Sequence, residues 1–340
     1  TLNLLVERGG EKIKIFATTL QVTFIKAISS TFKPSREQAA VGIGRLIGLG
    51  AKPDFLIKAL GPALKAAAST KPEECLSAIS KVYASLTVDV TDATSTTIRD
   101  AIIPFMEGSS TSGHATRSQA AQAMASTLRF LSPDIAIARL NSEGLINAKS
   151  DLAEAGFLTL YHLMTMSPAF GLHVLKSDEL VEDIKLGLSV GDTAFIRGAA
   201  GQALGYMLVY VDDDSAATEY ARALAEALDE DDSVDVKICV LNAIRQFAKT
   251  TPDKAEQQLS VLVPAALQRV KKSMLSLKYA AERALYHLLQ IRTNPGLHQQ
   301  FATTLPESHT KTFLDFCKVV LSKLPEDSDD EEIYDDGYTD

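Results

Sequence analysis

No stretch of the 340-residue chain approaches the ~18 uninterrupted apolar residues that a membrane span requires. There is no basic-then-apolar leader pattern at its start and no Asn-x-Ser/Thr acceptor for N-linked sugar. Cysteine is scarce. Cys75, Cys239 and Cys317 are odd in number and far apart, so they suggest neither a disulfide framework nor a zinc cluster, and they suit a reducing cytosol. No His/Cys/carboxylate spacing suits a metal, and none supports a Ser-His-Asp or Cys-His arrangement. No catalytic, cofactor-binding or metal-binding residue is therefore assigned, and no enzyme is expected.

A basic excess is also lacking. Nine acids and no Lys or Arg fall between Pro325 and Asp340, which leaves residues 1–324 balanced at 34 cations and 34 acids. A neutral body argues against a general nucleic-acid binder. Residues 325–340 are too acidic and too poor in aliphatic side chains to fold, and are expected to form a disordered tail. Within them Ser328, followed by Asp329, Asp330, Glu331 and Glu332, resembles a site for an acid-directed kinase. The chain opens on Thr1 rather than Met, as expected for a segment of something longer.

What the sequence does contain is a period. A cation followed by small residues opens an amphipathic helix at Arg36-Glu-Gln-Ala39-Ala40, Arg117-Ser-Gln-Ala120-Ala121, Arg197-Gly-Ala199-Ala200 and Lys278-Tyr-Ala280-Ala281. The second alanines are 79 to 81 residues apart, two repeats of about 40 each. Weaker copies fall between them at Leu76, Leu152 and Val236. Pro62, Pro104 and Pro264 sit inside apolar helical runs, where proline bends a helix. Helix pairs are expected near 11–28 and 35–49, 53–67 and 71–86, 92–107 and 115–131, 177–188 and 192–210, 214–228 and 232–249, and 255–271 and 273–291. Another pair with a short first helix is expected across 133–166, and a last helix near 308–324. In the unit opening at Asp192, an acid is expected to cap the helix and Arg197 to reach a neighbouring acid. A single repeat cannot bury its apolar face alone, so the pattern predicts an all-α HEAT/armadillo-type α-solenoid of about eight helix pairs over 1–324.

Other motifs fit this frame. Gly42-Ile-Gly44-Arg45-Leu46-Ile47-Gly48 superficially suggests a phosphate loop, but such a loop follows a strand and precedes a helix, whereas these glycines lie within a helix and are expected to serve packing. His162 and His287 sit beside Tyr161 and Tyr286 on apolar helices, where a structural histidine is expected. Two charge features stand out. Residues 212–235 hold ten acids against Arg222, at interhelix turns. Residues 254–292 hold Lys254, Arg269, Lys271, Lys272, Lys278, Arg283 and Arg292 against two acids. The second is either a solvated face or a patch that meets ribosomal RNA or an acidic partner. Its candidate partner-binding residues are Arg269, Lys271, Lys272, Lys278 and Arg283.

The order of these motifs carries a resemblance. Leu20-Gln21 through Ala27, then Arg36-x-x-Ala39-Ala40-Val-Gly-Ile-Gly44, Ala115-Thr-Arg117, the unit around Arg197, and Tyr279-Ala280-Ala281-Glu282-Arg283-Ala284-Leu285 together resemble the C-terminal region of the large translational activators of general amino-acid control. The resemblance implies a non-catalytic, cytoplasmic, ribosome-associated scaffold. Such proteins activate the kinase that phosphorylates the α subunit of translation initiation factor two, and they bind its RWD domain. The kinase-contacting arginine of that family is assigned to no residue here, and the acidic tail departs from the family pattern. The alternative is another HEAT scaffold, of nuclear-transport or phosphatase type. HEAT-repeat iron hydroxylases also resemble the architecture, but they use repeated His-Glu pairs, and none of the six histidines is followed by Glu.

Overall fold

The computed structural model describes residues 2–50, 52–67, 71–86, 89–108, 113–270, 274–290 and 301–319. Every regular element among them is a helix. The chain divides into two compact units, Thr1–His173 and Val174–Asp340. Residues 325–340 lie outside the described residues.

The first unit contains α1 (Leu2–Gly9), a 3-10 segment (Gly10–Phe16), α2 (Ala17–Ile28), α3 (Lys33–Gly48), α4 (Pro53–Ala67), α5 (Pro72–Ala84) and α6 (Asp92–Ile102). These are followed by α7 (His114–Leu128), α8 (Pro133–Ser142), α9 (Ala153–Met166) and α10 (Pro168–Val174), whose last residue opens the second unit. The second unit contains α11 (Asp178–Val190), α12 (Ala194–Met207), α13 (Asp214–Glu230), α14 (Val234–Thr250), α15 (Pro252–Gln257), α16 (Leu259–Val270), α17 (Leu275–Gln290) and α18 (Glu307–Val319).

Each unit has two helix layers. In the first, α3, α5, α7 and α9 stack in succession, while α2, α4 and α6 form the other layer. In the second, α12, α14 and α17 stack, faced by α11, α13 and α16, with α18 against α16. Composition explains which helix enters which layer. α13 buries one stripe, Tyr220, Ala221, Leu224 and Leu228, and leaves the rest to solvent. α12 buries nine of its fourteen residues, six of them Gly or Ala (Gly198, Ala199, Ala200, Gly201, Ala203 and Gly205) and the other three larger, because it is flanked by neighbours. Small residues let those neighbours approach closely.

Within that dry layer an arginine ladder joins successive repeats. Arg36 reaches Glu74 at 2.8 Å, Arg117 Nε reaches Glu154 Oε2 at 2.6 Å, and Arg197 Nε reaches Asp231 Oδ2 at 2.6 Å. Each arginine stands in the first turn of a second helix, and each acid stands at or just before the start of the next one. Arg36 and Arg197 also donate to the backbone carbonyls of Ser30 (2.7 Å) and Gly191 (2.8 Å), six residues back, which secures the turn into the helix. Asp231 holds the Arg197 guanidinium above its ordinary pKa through their hydrogen bond. Arg117 and Glu154 are both buried, and His114 Nδ1 lies 2.6 Å from the second carboxylate oxygen of Glu154.

Several expectations are refined. The helix at Ala194 is capped by Thr193, not Asp192, and the one at Val234 by Ser233, not Asp232. A cap must accept from the backbone N–H three residues on, as Thr193 does from Ile196 at 3.2 Å, so the acid stands one residue too early. Pro62 and Pro264 lie inside α4 and α16, but Pro104 lies in a 3-10 turn, Ile103–Phe105, that closes α6. Residues 10–16 are 3-10 rather than α-helix, and α1 and α10 are additional. The expected helix 255–271 breaks at Gln258 (φ −101°, ψ 5°). The break separates two attachments: α15 is tied by Lys254 to the carbonyls of Val209 (3.0 Å) and Val211 (2.8 Å), whereas α16 packs on α13. Gly42 and Gly44 serve packing, since a methyl at either would overlap Phe24 or Ser85.

Two predictions follow from this packing. A methyl on Gly156 would sit 1.6 Å from the Leu145 carbonyl oxygen, whereas one on Gly198 would meet only the Cys239 side chain at 3.2 Å. Denaturant unfolding is expected to show Gly156→Ala losing about 3 kcal/mol or more and Gly198→Ala changing by under about 1 kcal/mol. Removing either member of the buried Arg117–Glu154 pair, as Arg117→Met or Glu154→Gln, is expected to cost about 3–5 kcal/mol. The double variant should lose clearly less than the two single losses combined; strict additivity would mean the pair does not couple.

Candidate partner-binding surface

The cations proposed from sequence separate into different environments once folded. Arg269, at the end of α16, is buried and hydrogen-bonds Asp229 on α13 and Gln268 Oε1 (3.2 Å). Its charge is spent within the protein. Lys254 pairs with Asp212 at 2.8 Å in addition to its two carbonyls. Lys271, Lys272 and Arg292 lie outside the described residues. Lys278 is 44% exposed and faces Glu282 one turn on, at 3.8 Å. The Arg283 guanidinium lies 5.4 Å from the centre of the Tyr279 ring, a cation–π contact. Leu275, 80% exposed, and Met274, 50% exposed, precede them.

Lys278 stands where the ladder arginines stand, 81 residues after Arg197, yet its partner among the described residues is on its own helix. That difference keeps it at the surface. α17 thus presents Leu275, Lys278, Tyr279 and Arg283, of which the tyrosine and the arginine are residue types enriched at protein interfaces.

The acidic stretch is also largely structural. Asp213 caps α13, accepting from Ala216 N at 2.7 Å, and Asp231 accepts from Ser233 N at 2.8 Å while it holds Arg197. Asp212 holds Lys254 and Asp229 holds Arg269. The acidic and basic stretches are one repeat apart, and they lock to each other rather than forming two opposed surfaces. The linear window 254–292 also missed Lys237, Arg245 and Lys249 of α14, which packs beside α17. Their signal was the repeat itself: Lys237 is the counterpart of Arg197 and Lys278.

Other reactive groups sit in structural settings. Burial pushes the Cys75 thiol up to about 12 and the Cys317 thiol up to about 11, far from the thiolate that nucleophilic or metal chemistry needs. His287 is buried in α17 against Tyr286, and His162 packs on Tyr161 with ring centres 5.2 Å apart. Among the described residues no three His, Cys, Asp or Glu side chains gather to hold a metal. A cavity among α6, α7 and α8, bordered by Arg99, Met124 and Leu140, has about 20 Å³, room on the scale of a water molecule.

Comparison with known proteins gives this architecture a family context. Residues 154–298 match the model of GCN1-like C-terminal HEAT repeats. The chain is 28% identical over 339 residues to the eIF-2-alpha kinase activator GCN1 of Dictyostelium discoideum, covering 97% of this chain and 12% of that protein. It is 27% identical over 356 residues to protein ILITYHIA of Arabidopsis thaliana, covering 100% of this chain and 12% of that protein. The chain therefore spans about an eighth of the length of these relatives. Among solved structures, Kap121p bound to Nup53p superposes with a TM-score of 0.61 at 13% identity, over 94% of this chain and 34% of that one. Kap121p bound to Pho4p gives 0.54 at 14%, over 93% and 35%. At such identity the likeness to Kap121p is one of fold. In the order of its motifs and the layering of its helices, this chain is similar to the C-terminal HEAT-repeat region of GCN1-like proteins.

Proposed function

We propose that this region is a non-catalytic protein-interaction scaffold within a ribosome-associated activator of the kinase that phosphorylates the α subunit of translation initiation factor two during amino-acid starvation. The observation that carries the reading is the collinear match to the Dictyostelium activator across 97% of the chain. The fold is compatible with it: stacked repeats offer long helix faces to partners. No helix among the described residues is long and apolar enough to cross a membrane, and a cytoplasmic location on ribosomes follows from the same reading.

The contact surface proposed is the exposed side of α17, Lys278 and Arg283 with Tyr279, together with Lys271 and Lys272 just before it. Its partners are the RWD domain of the starvation-activated kinase and the ribosome, whose RNA the cations can meet. Arg269 contributes from within, by fixing α16 on α13.

Affinity capture from cytosolic lysate at moderate salt, with mass spectrometry of the bound proteins, tests the reading. Ribosomal proteins or the kinase should be recovered; transport or phosphatase components without ribosomes would overturn it. Charge reversal separates surface from scaffold. Lys278→Glu with Arg283→Glu is expected to weaken capture at unchanged thermal stability, because neither charge is buried. Arg269→Glu is expected to lower the melting temperature, because it places a carboxylate in a buried site facing Asp229. Capture that survives the α17 reversals returns that face to ordinary solvated surface.

A further inference from the structure

Arg99 of α6 is 5% exposed and has more hydrogen-bonding capacity than the protein around it uses. Its Nη2 donates to the Asp92 carboxylate, to the Asp92 carbonyl at 3.3 Å and to Thr96 Oγ1 at 2.8 Å. Its Nη1 is buried and has no hydrogen-bond partner among the described residues. A buried N–H of a charged group that stays unbonded has given up its hydration for nothing. Such a donor calls for an acceptor from outside the protein.

The space for one is beside it. Arg99 borders the cavity of about 20 Å³ among α6, α7 and α8. A cavity needs ~10–15 Å³ on this measure to hold a water molecule, so there is room for one water and for little more. The lining is part apolar, with Met124 and Leu140, and part charged, with Arg139, Asp100 and Glu143.

Charge decides which small species belongs there. Arg99 and Arg139 are both engaged by Asp92, the first on one carboxylate oxygen and the second on the other, at 2.5 Å. With Asp100 and Glu143 added, three carboxylates stand around two guanidinium groups. An anion would meet net negative charge, and a cation would meet the N–H groups of Nη1. A neutral molecule that accepts from Nη1 and donates to a carboxylate suits both sides, and at this volume that molecule is water.

We infer that the cavity is a hydration site, in which one ordered water accepts a hydrogen bond from Arg99 Nη1 and donates to a bordering carboxylate, Asp100 or Glu143. The water completes the buried guanidinium. Through Glu143 it also ties α6 to the residues that follow α8, beside the direct bond from Arg139 to Asp92. No partner enters the inference, so it and the translational reading can fail separately.

A crystal structure of the whole chain, at a resolution that shows ordered water, tests it. One peak should lie about 2.7–3.2 Å from Arg99 Nη1. Crystals soaked in bromide or pressurised with xenon should show no anomalous signal in the cavity. A bromide peak would make this an anion site, and a xenon peak would make it a dry apolar cavity; either overturns the inference. So does a cavity without any peak, or a carboxylate turned directly onto Nη1. Arg99→Met removes the donor and leaves Arg139 on Asp92, and its crystals should lose the water peak. A water retained at the same place would show that Arg99 does not hold it, which also overturns the assignment. Should that variant fail to keep its helicity, the bromide and xenon experiments on the unaltered chain decide.

Discussion

An arginine in the first turn of a second helix, reaching an acid at the start of the next, is the contact on which the rest of this architecture depends. The inner layers are built from Ala, Gly and Ser faces, such as Ala120, Ala121, Ala123 and Ala125 of α7, all fully buried. Such faces pack closely, but they carry little relief, and helices bearing them could slide past one another at small loss of contact area. Arg36–Glu74, Arg117–Glu154 and Arg197–Asp231 remove that freedom. A buried guanidinium that loses its carboxylate is strongly unfavourable, whereas the intact pair adds modest net stability. The ladder therefore acts more on register than on total free energy: the right offset between repeats is the one that pairs every rung.

The outer layers use charge at a different depth. Asp54 accepts from Thr94 Oγ1, Asp92 is held by Arg99 and by Arg139 at 2.5 Å, and Lys185 spans Glu182 and Glu219. Burial alone would raise the Asp92 pKa, but the hydrogen bonds and charges of the two arginines outweigh it and hold the carboxyl below its ordinary value. Several of these contacts, such as Thr94 to Asp54, Arg139 to Asp92 and Lys185 to Glu219, cross from one repeat to the next, and they surround a layer whose helices are amphipathic rather than wholly buried. Where the outer pairs are exposed they contribute little each. The inner rungs, which are drier, set the spacing that the outer pairs then fit.

Much of this was legible in the sequence because a repeat protein states its core several times over. The forty-residue period and the second helices both appear in the structure, where Pro53, Pro72, Pro133 and Pro252 each stand first in a helix. Arg197 was expected to reach a neighbouring acid, and it does. The errors arose where the decisive information was local geometry or distance in space. Asp192 and Thr193 are both good capping residues, and only the three-residue offset selects the threonine. The eight residues of α1 offered too few turns to show a period. The charge stretches misled because they were windows along the chain. Residues forty apart are neighbours here, so Asp212 and Lys254, or Asp229 and Arg269, meet although each belongs to a stretch of one sign.

This geometry changes how surface charge should be assessed in any stacked-repeat protein. A run of acids at successive turns has first to be matched against cations one repeat later, and only the remainder faces partners. In the second unit the matching consumes Asp212, Asp229 and Asp231 together with Lys254, Arg269 and Arg197. Charge also differs between the layers: α11 and α13 together carry nine acids against two cations, whereas α12, α14 and α17 carry six cations against two acids.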